Sequence, residues 1–163
     1  YYSERGSHII FLSSTQVFDG SRPYYAPLDP VNPVTEYGRQ KVAAEKVIMG
    51  LPRSTILRLP KLNYPESPLL VEWKRKLLSG QSIQPLSDVF ISLVDIEEVV
   101  KAISEIIIDQ KFGILHLSGS KEISYADYAE HLCKVLGIRK ELVEPQSIQG
   151  NCLILRHSSL AEA

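Results

Sequence analysis

The chain has 163 residues, 44% of them hydrophobic, enough for one globular domain with a sizeable core. Eighteen basic residues against nineteen acidic leave it nearly neutral, so its charge selects neither nucleic acid nor an anionic membrane as partner. No apolar run approaches the roughly 20 residues that span a bilayer and no signal-peptide pattern is present, so the expectation is a soluble, cytoplasmic protein.

The first predicted element is His8-Ile-Ile-Phe-Leu-Ser13, a short apolar run of the kind a buried parallel strand needs. It leads into a hydroxyl-rich turn, Ser13-Ser-Thr-Gln-Val-Phe-Asp-Gly20. The stretch from Gly20 to Pro33 carries Pro23, Pro27 and Pro30 around the adjacent Tyr24 and Tyr25. Proline donates no backbone hydrogen bond, so this stretch is expected to stay out of the sheet and lie over the surface, with Tyr24 or Tyr25 available to a substrate.

Pro33 to Met49 reads as a helix with proline in its first turn and Gly50 just past its end. Residues four apart on a helix share a face, so Tyr37 and Lys41 point the same way. An ammonium beside a phenol favours the phenolate, which makes a tyrosine a candidate general acid or base. A hydroxyl from Ser14, at the end of the neighbouring strand, could hold the reacting oxygen against Tyr37.

These residues, set in Ser-Ser-Thr-Gln-Val-Phe-Asp-Gly and Tyr-Gly-Arg-Gln-Lys-Val-Ala-Ala-Glu-Lys, resemble the Ser/Thr and Tyr-x-x-x-Lys set of extended short-chain dehydrogenase/reductases. The resemblance is nearest to dTDP-4-dehydrorhamnose reductases and related nucleotide-sugar epimerases, with Pro23-Tyr24, Asn32-Pro33 and Glu45 in matching places. Thr15 and Gln16 stand where that family usually has Asp-Tyr. The resemblance implies NAD or NADP as cofactor and a nucleotide-sugar substrate. It implies Tyr37 as general acid/base, Lys41 on the nicotinamide ribose, Ser14 on the reacting oxygen, and Thr15 and Gln16 on the substrate side. It leaves homodimerisation open, as well as reduction against epimerisation. The resemblance also covers the regulatory subunit of methionine adenosyltransferase, so a non-catalytic binding or regulatory subunit is the alternative.

Ser54-Thr-Ile-Leu-Arg-Leu59 is the next predicted strand, and strand, helix, strand with this spacing reads as a right-handed crossover unit. The expected fold is α/β: part of a Rossmann-like doubly wound parallel sheet with a small α/β substrate-binding region. Residues 1–60 would be the C-terminal part of the dinucleotide-binding domain and 61–163 a mixed substrate-binding region with the remaining sheet elements. None of the nine glycines forms G-x-G-x-x-G, so a mononucleotide-binding half is expected upstream. Without it the sheet edge would be open, the chain alone inactive or weak in binding dinucleotide, and NAD indistinguishable from NADP.

Ligands of α/β sheets bind beyond the carboxyl ends of strands, and the resemblance makes Leu59 and Pro60 the cofactor side and Asn63 the substrate side. Ser67-Pro68 starts a helix running to about Gly80, in which Lys74-Arg75-Lys76 either complements the helix dipole or reaches a diphosphate. Asp88 to Val100 reads as a strand followed by a helix capped by Asp95 and Glu98. Gly113 to Gly119 is a strand whose His116 is expected to be packed, and Ser124 with Asp127 opens a helix ending at Gly137. Cys133 and Cys152 read as free thiols, and His8, His116, His131 and His157 have no ligand spacing, so no metal is expected. Beyond Glu144 only Arg156-His-Ser-Ser-Leu160 resembles a family pattern, the stretch before the family's last helix, and that helix is expected to be absent from this chain.

Overall fold

The computed structural model describes residues 5–148 and 156–161. Strand β1 (Ile9–Ser14) passes through a 3-10 turn (Thr15–Val17) to helix α1 (Glu36–Met49) and returns as β2 (Ser54–Leu59). Then come β3 (Lys61–Asn63), α2 (Pro68–Leu78), β4 (Phe90–Asp95), α3 (Ile96–Ile108), β5 (Gly113–His116), β6 (Glu122–Ser124) and α4 (Tyr125–Leu136).

One sheet has the order β1-β2-β5, parallel throughout. Every residue of its middle strand β2 is buried, which is why Ser54 to Leu59 reads as a run and not as an alternation. The register sets Ser14 opposite Leu59, so the two carboxyl ends lie side by side. The second sheet, β3-β4-β6, pairs β3 parallel and β6 antiparallel to β4. The sequence reading contains neither β3 nor β6. Three-residue strands are too short to show a period, and they exist here through their pairing with β4.

Three apolar clusters hold the layers. Val99 and Ile106 of α3 pack with Leu57, Leu59 and Val94, joining the two sheets. Leu70, Trp73 and Leu77 of α2 meet Ala129, Leu132 and Cys133 of α4. Val17, Phe18, Tyr25 and Leu160 form the third, against which Val42 of α1 packs. Cys133 is buried and free, while Cys152 lies outside the described residues. Among the described residues no helix is long and apolar enough to cross a membrane.

Two expectations need correction. Helix α1 starts at Glu36 and not at Pro33: the Thr35 hydroxyl accepts the Gly38 N–H at 3.0 Å and sets the first turn. The proline-rich stretch does not simply lie over the surface. Its Tyr25 is buried and makes a parallel bridge with Leu160, the Ala161 N–H donating to the Tyr25 carbonyl at 2.8 Å.

Candidate active site

The site begins where β1 ends. Ser14 closes the 3-10 turn, its Oγ accepting the Gln16 N–H at 3.2 Å, and the buried Val17 and Phe18 pin that turn to the core. Thr35 Oγ1 donates to Gln16 Oε1 at 2.9 Å and so ties the turn to the start of α1. Gly38 makes the approach feasible, because a Cβ there would stand 2.1 Å from the Gln16 carbonyl oxygen. Ser14, Gln16, Thr35 and Tyr37 are thereby brought to one place.

Tyr37 is 48% exposed and lines a cleft of about 700 Å³. One turn on, the Lys41 ammonium lies 5.5 Å from the Tyr37 ring centre and 4.8 Å from that of Phe11, and donates to the Leu12 carbonyl at 2.9 Å. The ammonium therefore bridges the helix to the backbone of β1 beside the phenol. Ser14, Thr15, Gln16 and Thr35 line the cleft with Tyr37, and Pro60, Lys61, Trp73, Leu86, Phe90, Tyr125 and Ser158 are among the residues that complete its lining.

Beneath lies a charged network. Glu45, two helical turns beyond Tyr37, accepts from Arg58 Nε at 3.0 Å and Nη2 at 2.7 Å, and from Ser13 Oγ at 2.5 Å. Arg58 also donates to the Pro27 carbonyl at 3.1 Å and lies 3.4 Å from His116 Nε2. Burial, aided by the Arg58 charge, pushes the His116 imidazole down to about 4. His116 is thus packed, as expected.

Of the residues singled out from sequence, Ser14, Thr15, Gln16, Tyr37 and Pro60 line the cleft, and Lys41 stands beside Tyr37 without lining it. Leu59 is packed in the core with Leu57 and Val94. Asn63 is held elsewhere, donating to Asp95 Oδ1 at 2.6 Å and accepting from the Tyr128 hydroxyl at 2.9 Å. Tyr25 is stacked on Phe18 and donates to Asp19, which leaves Tyr24 as the exposed member of that pair. Arg75 is not among the cleft residues, and Lys76 pairs with Glu72 at 2.9 Å. Sequence reasoning missed Thr35, Lys61 and the Trp73, Phe90, Tyr125 and Ser158 wall. Thr35 alone had a local signal, a cap residue directly before the helix.

The family model described as RmlD substrate binding domain matches residues 2–158. A dTDP-4-dehydrorhamnose reductase of Sinorhizobium fredii is 30% identical over 140 residues, covering 80% of this chain and 47% of that protein. Methionine adenosyltransferase 2 subunit beta of Danio rerio is 40% identical over 58 residues, 35% of this chain and 18% of that one. The structure of dTDP-4-dehydrorhamnose reductase from Bacillus anthracis, in complex with NADP, superposes with a TM-score of 0.89 at 20% identity, covering 99% of this chain and 59% of that one. The chain spans about half the length of the reductase sequences it matches.

Proposed function

Because the chain belongs to the RmlD substrate binding domain family, we propose that it carries the proton-transfer side of an NAD(P)-dependent reductase acting on a nucleotide-activated 4-keto sugar. The observation that supports this reading is the meeting of Ser14, Tyr37 and Lys41 at the carboxyl ends of two parallel strands, beside a cleft of sugar-nucleotide size.

The residues present fit the nicotinamide end of a dinucleotide: an open phenol, an ammonium anchored to β1 and the Pro60 ring lie around the ends of β1 and β2. The chemistry that a bound dinucleotide supplies is hydride transfer to the carbonyl carbon. Tyr37 donates its proton to the carbonyl oxygen, and the Ser14 hydroxyl hydrogen-bonds the same oxygen so that it faces the phenol. The Lys41 charge stabilises the phenolate left behind, and the Leu12 carbonyl fixes where that charge stands. In this reading residues 1–60 belong to the dinucleotide side and 61–163 supply the substrate side together with β5.

A second reading, a non-catalytic subunit of the same fold, is favoured by the 58-residue match to the methionine adenosyltransferase subunit. Tyr37→Phe, made in the protein as its source organism produces it, separates the two. Under the reductase reading turnover of the keto sugar falls by on the order of 10²–10⁴-fold while circular dichroism is unchanged. A Tyr37→Phe protein as active as wild type would remove the tyrosine from the mechanism.

A further inference from the structure

Among the described residues one formal charge lines the cleft. Of the described residues that line it, Lys61 alone is charged at neutral pH; the others supply hydroxyls, amides, aromatic rings and aliphatic surface, with no carboxylate among them. Lys61 opens β3 directly after Pro60, and its backbone is fixed by parallel pairing with Leu93. Among the described residues its ammonium has neither an ion-pair partner nor a hydrogen-bond acceptor, and its one recorded contact is the face of Tyr125, 5.5 Å to the ring centre. A partly buried cation over a ring, in a cleft walled by Trp73, Phe90 and Leu86, is screened less than it would be in bulk water. Such a charge is unspent in the protein alone.

We propose that Lys61 is the anion-reading residue of the cleft, taking a charged oxygen of the ligand while Tyr125, Trp73 and Phe90 offer flat apolar surface beside it. The chemical class is an anionic sugar nucleotide, whose charged oxygens are those of the diphosphate or of a carboxylate on the sugar. The proposal rests on the cleft being the nucleotide-sugar site, and it gives Lys61 the diphosphate role that the sequence offered to the run Lys74-Arg75-Lys76, none of which lines the cleft.

The test is isothermal titration calorimetry on the protein as its source organism makes it, comparing wild type, Lys61→Met and Lys61→Arg. The probes are thymidine, thymidine diphosphate, UDP-glucose and UDP-glucuronate. Methionine keeps the apolar stem and removes the charge; arginine restores the charge and checks that the strand tolerates substitution. Lys61→Met is expected to weaken charged probes by about tenfold or more, to leave thymidine unchanged, and to be rescued by arginine. A loss shared by thymidine diphosphate and both sugar nucleotides assigns the diphosphate, whereas a loss confined to UDP-glucuronate assigns the sugar carboxylate. Equal affinity of wild type and Lys61→Met for every charged probe, or no binding of any probe by wild type, overturns the proposal. Lys61-dependent binding in a protein that turns over no keto sugar would leave Lys61 standing and count only against the reductase reading.

Discussion

Arg58 stands in the middle of a fully buried strand, and its charge survives there because Glu45 meets it bidentately with both side chains under 5% exposed. Removing either partner would leave a buried charge unpaired, a change that costs about 3–5 kcal/mol in buried pairs. The pair also sets geometry, since it links β2 to α1, to Ser13 beside Ser14 and to Pro27 of the proline-rich loop. His116 at the rim of this network gives stability a pH signature. Its imidazole is held at about 4 in the fold, by burial first and the Arg58 charge second, against about 6.5 when unfolded. Between those values the unfolded chain binds a proton that the native chain refuses, so stability is full above about 6.5, falls as the pH drops towards 4 and levels off below. The loss is at most about 3 kcal/mol. Urea unfolding from pH 7.5 to 4.5 should show this slope in wild type and a shallower one in His116→Asn; identical slopes would mean that another group is responsible.

Helix α1 presents the phenol correctly only if its first turn presses on the Ser14 turn, and Gly38 is what permits that contact. A Cβ at this position meets the Gln16 carbonyl oxygen at 2.1 Å and the Pro33 Cβ at 2.9 Å. Alanine favours a helix by up to about 1 kcal/mol, whereas an overlap of this kind costs about 1–3 kcal/mol and displaces the helix. Gly38→Ala is therefore expected to lower both the melting temperature and turnover; a more stable, fully active variant would show that α1 does not bear on Gln16. The same helix marks the limit of what sequence conveys. Ser124, Asp127 and Gly137 announced α4 correctly because their partners are three residues away or their own backbone, the capping hydrogen bonds measuring 3.0 and 3.2 Å and Gly137 adopting φ 66°. The start of α1 was misplaced at Pro33 although its Thr35 cap is equally local, three residues from Gly38; what no local pattern records is the further bond from Thr35 to Gln16, nineteen residues back.

Across the whole molecule, residues 156–161 clamp parts that are remote in sequence. The Phe90 N–H donates to the Arg156 carbonyl at 2.7 Å, His157 pairs with Glu122 at 2.8 Å, and the Ser158 and Ser159 amides donate to Glu122 Oε1 at 3.0 and 2.8 Å. Leu160 then bridges to Tyr25, so the proline-rich loop and the second sheet are joined and Ser158 reaches the cleft. Ser14, Tyr37 and Lys41 were legible because one strand end and one helical turn carry them. The rest of the cleft lining was not, being assembled from α2, the approach to β4, the start of α4 and this tail by packing alone. The family and the fold are those of RmlD-type proteins, and we propose that this scaffold serves hydride and proton transfer to a sugar. Deuterium transfer tests it most directly. The protein as its source organism makes it is supplied with NADH or NADPH deuterated at the transferring position and with a dTDP-4-keto-6-deoxy sugar, and the recovered sugar is weighed by mass spectrometry. The expected result is a reduced sugar carrying the label at carbon 4, lost in Tyr37→Phe; bound dinucleotide with no label in any sugar nucleotide would contradict catalysis and leave the binding subunit.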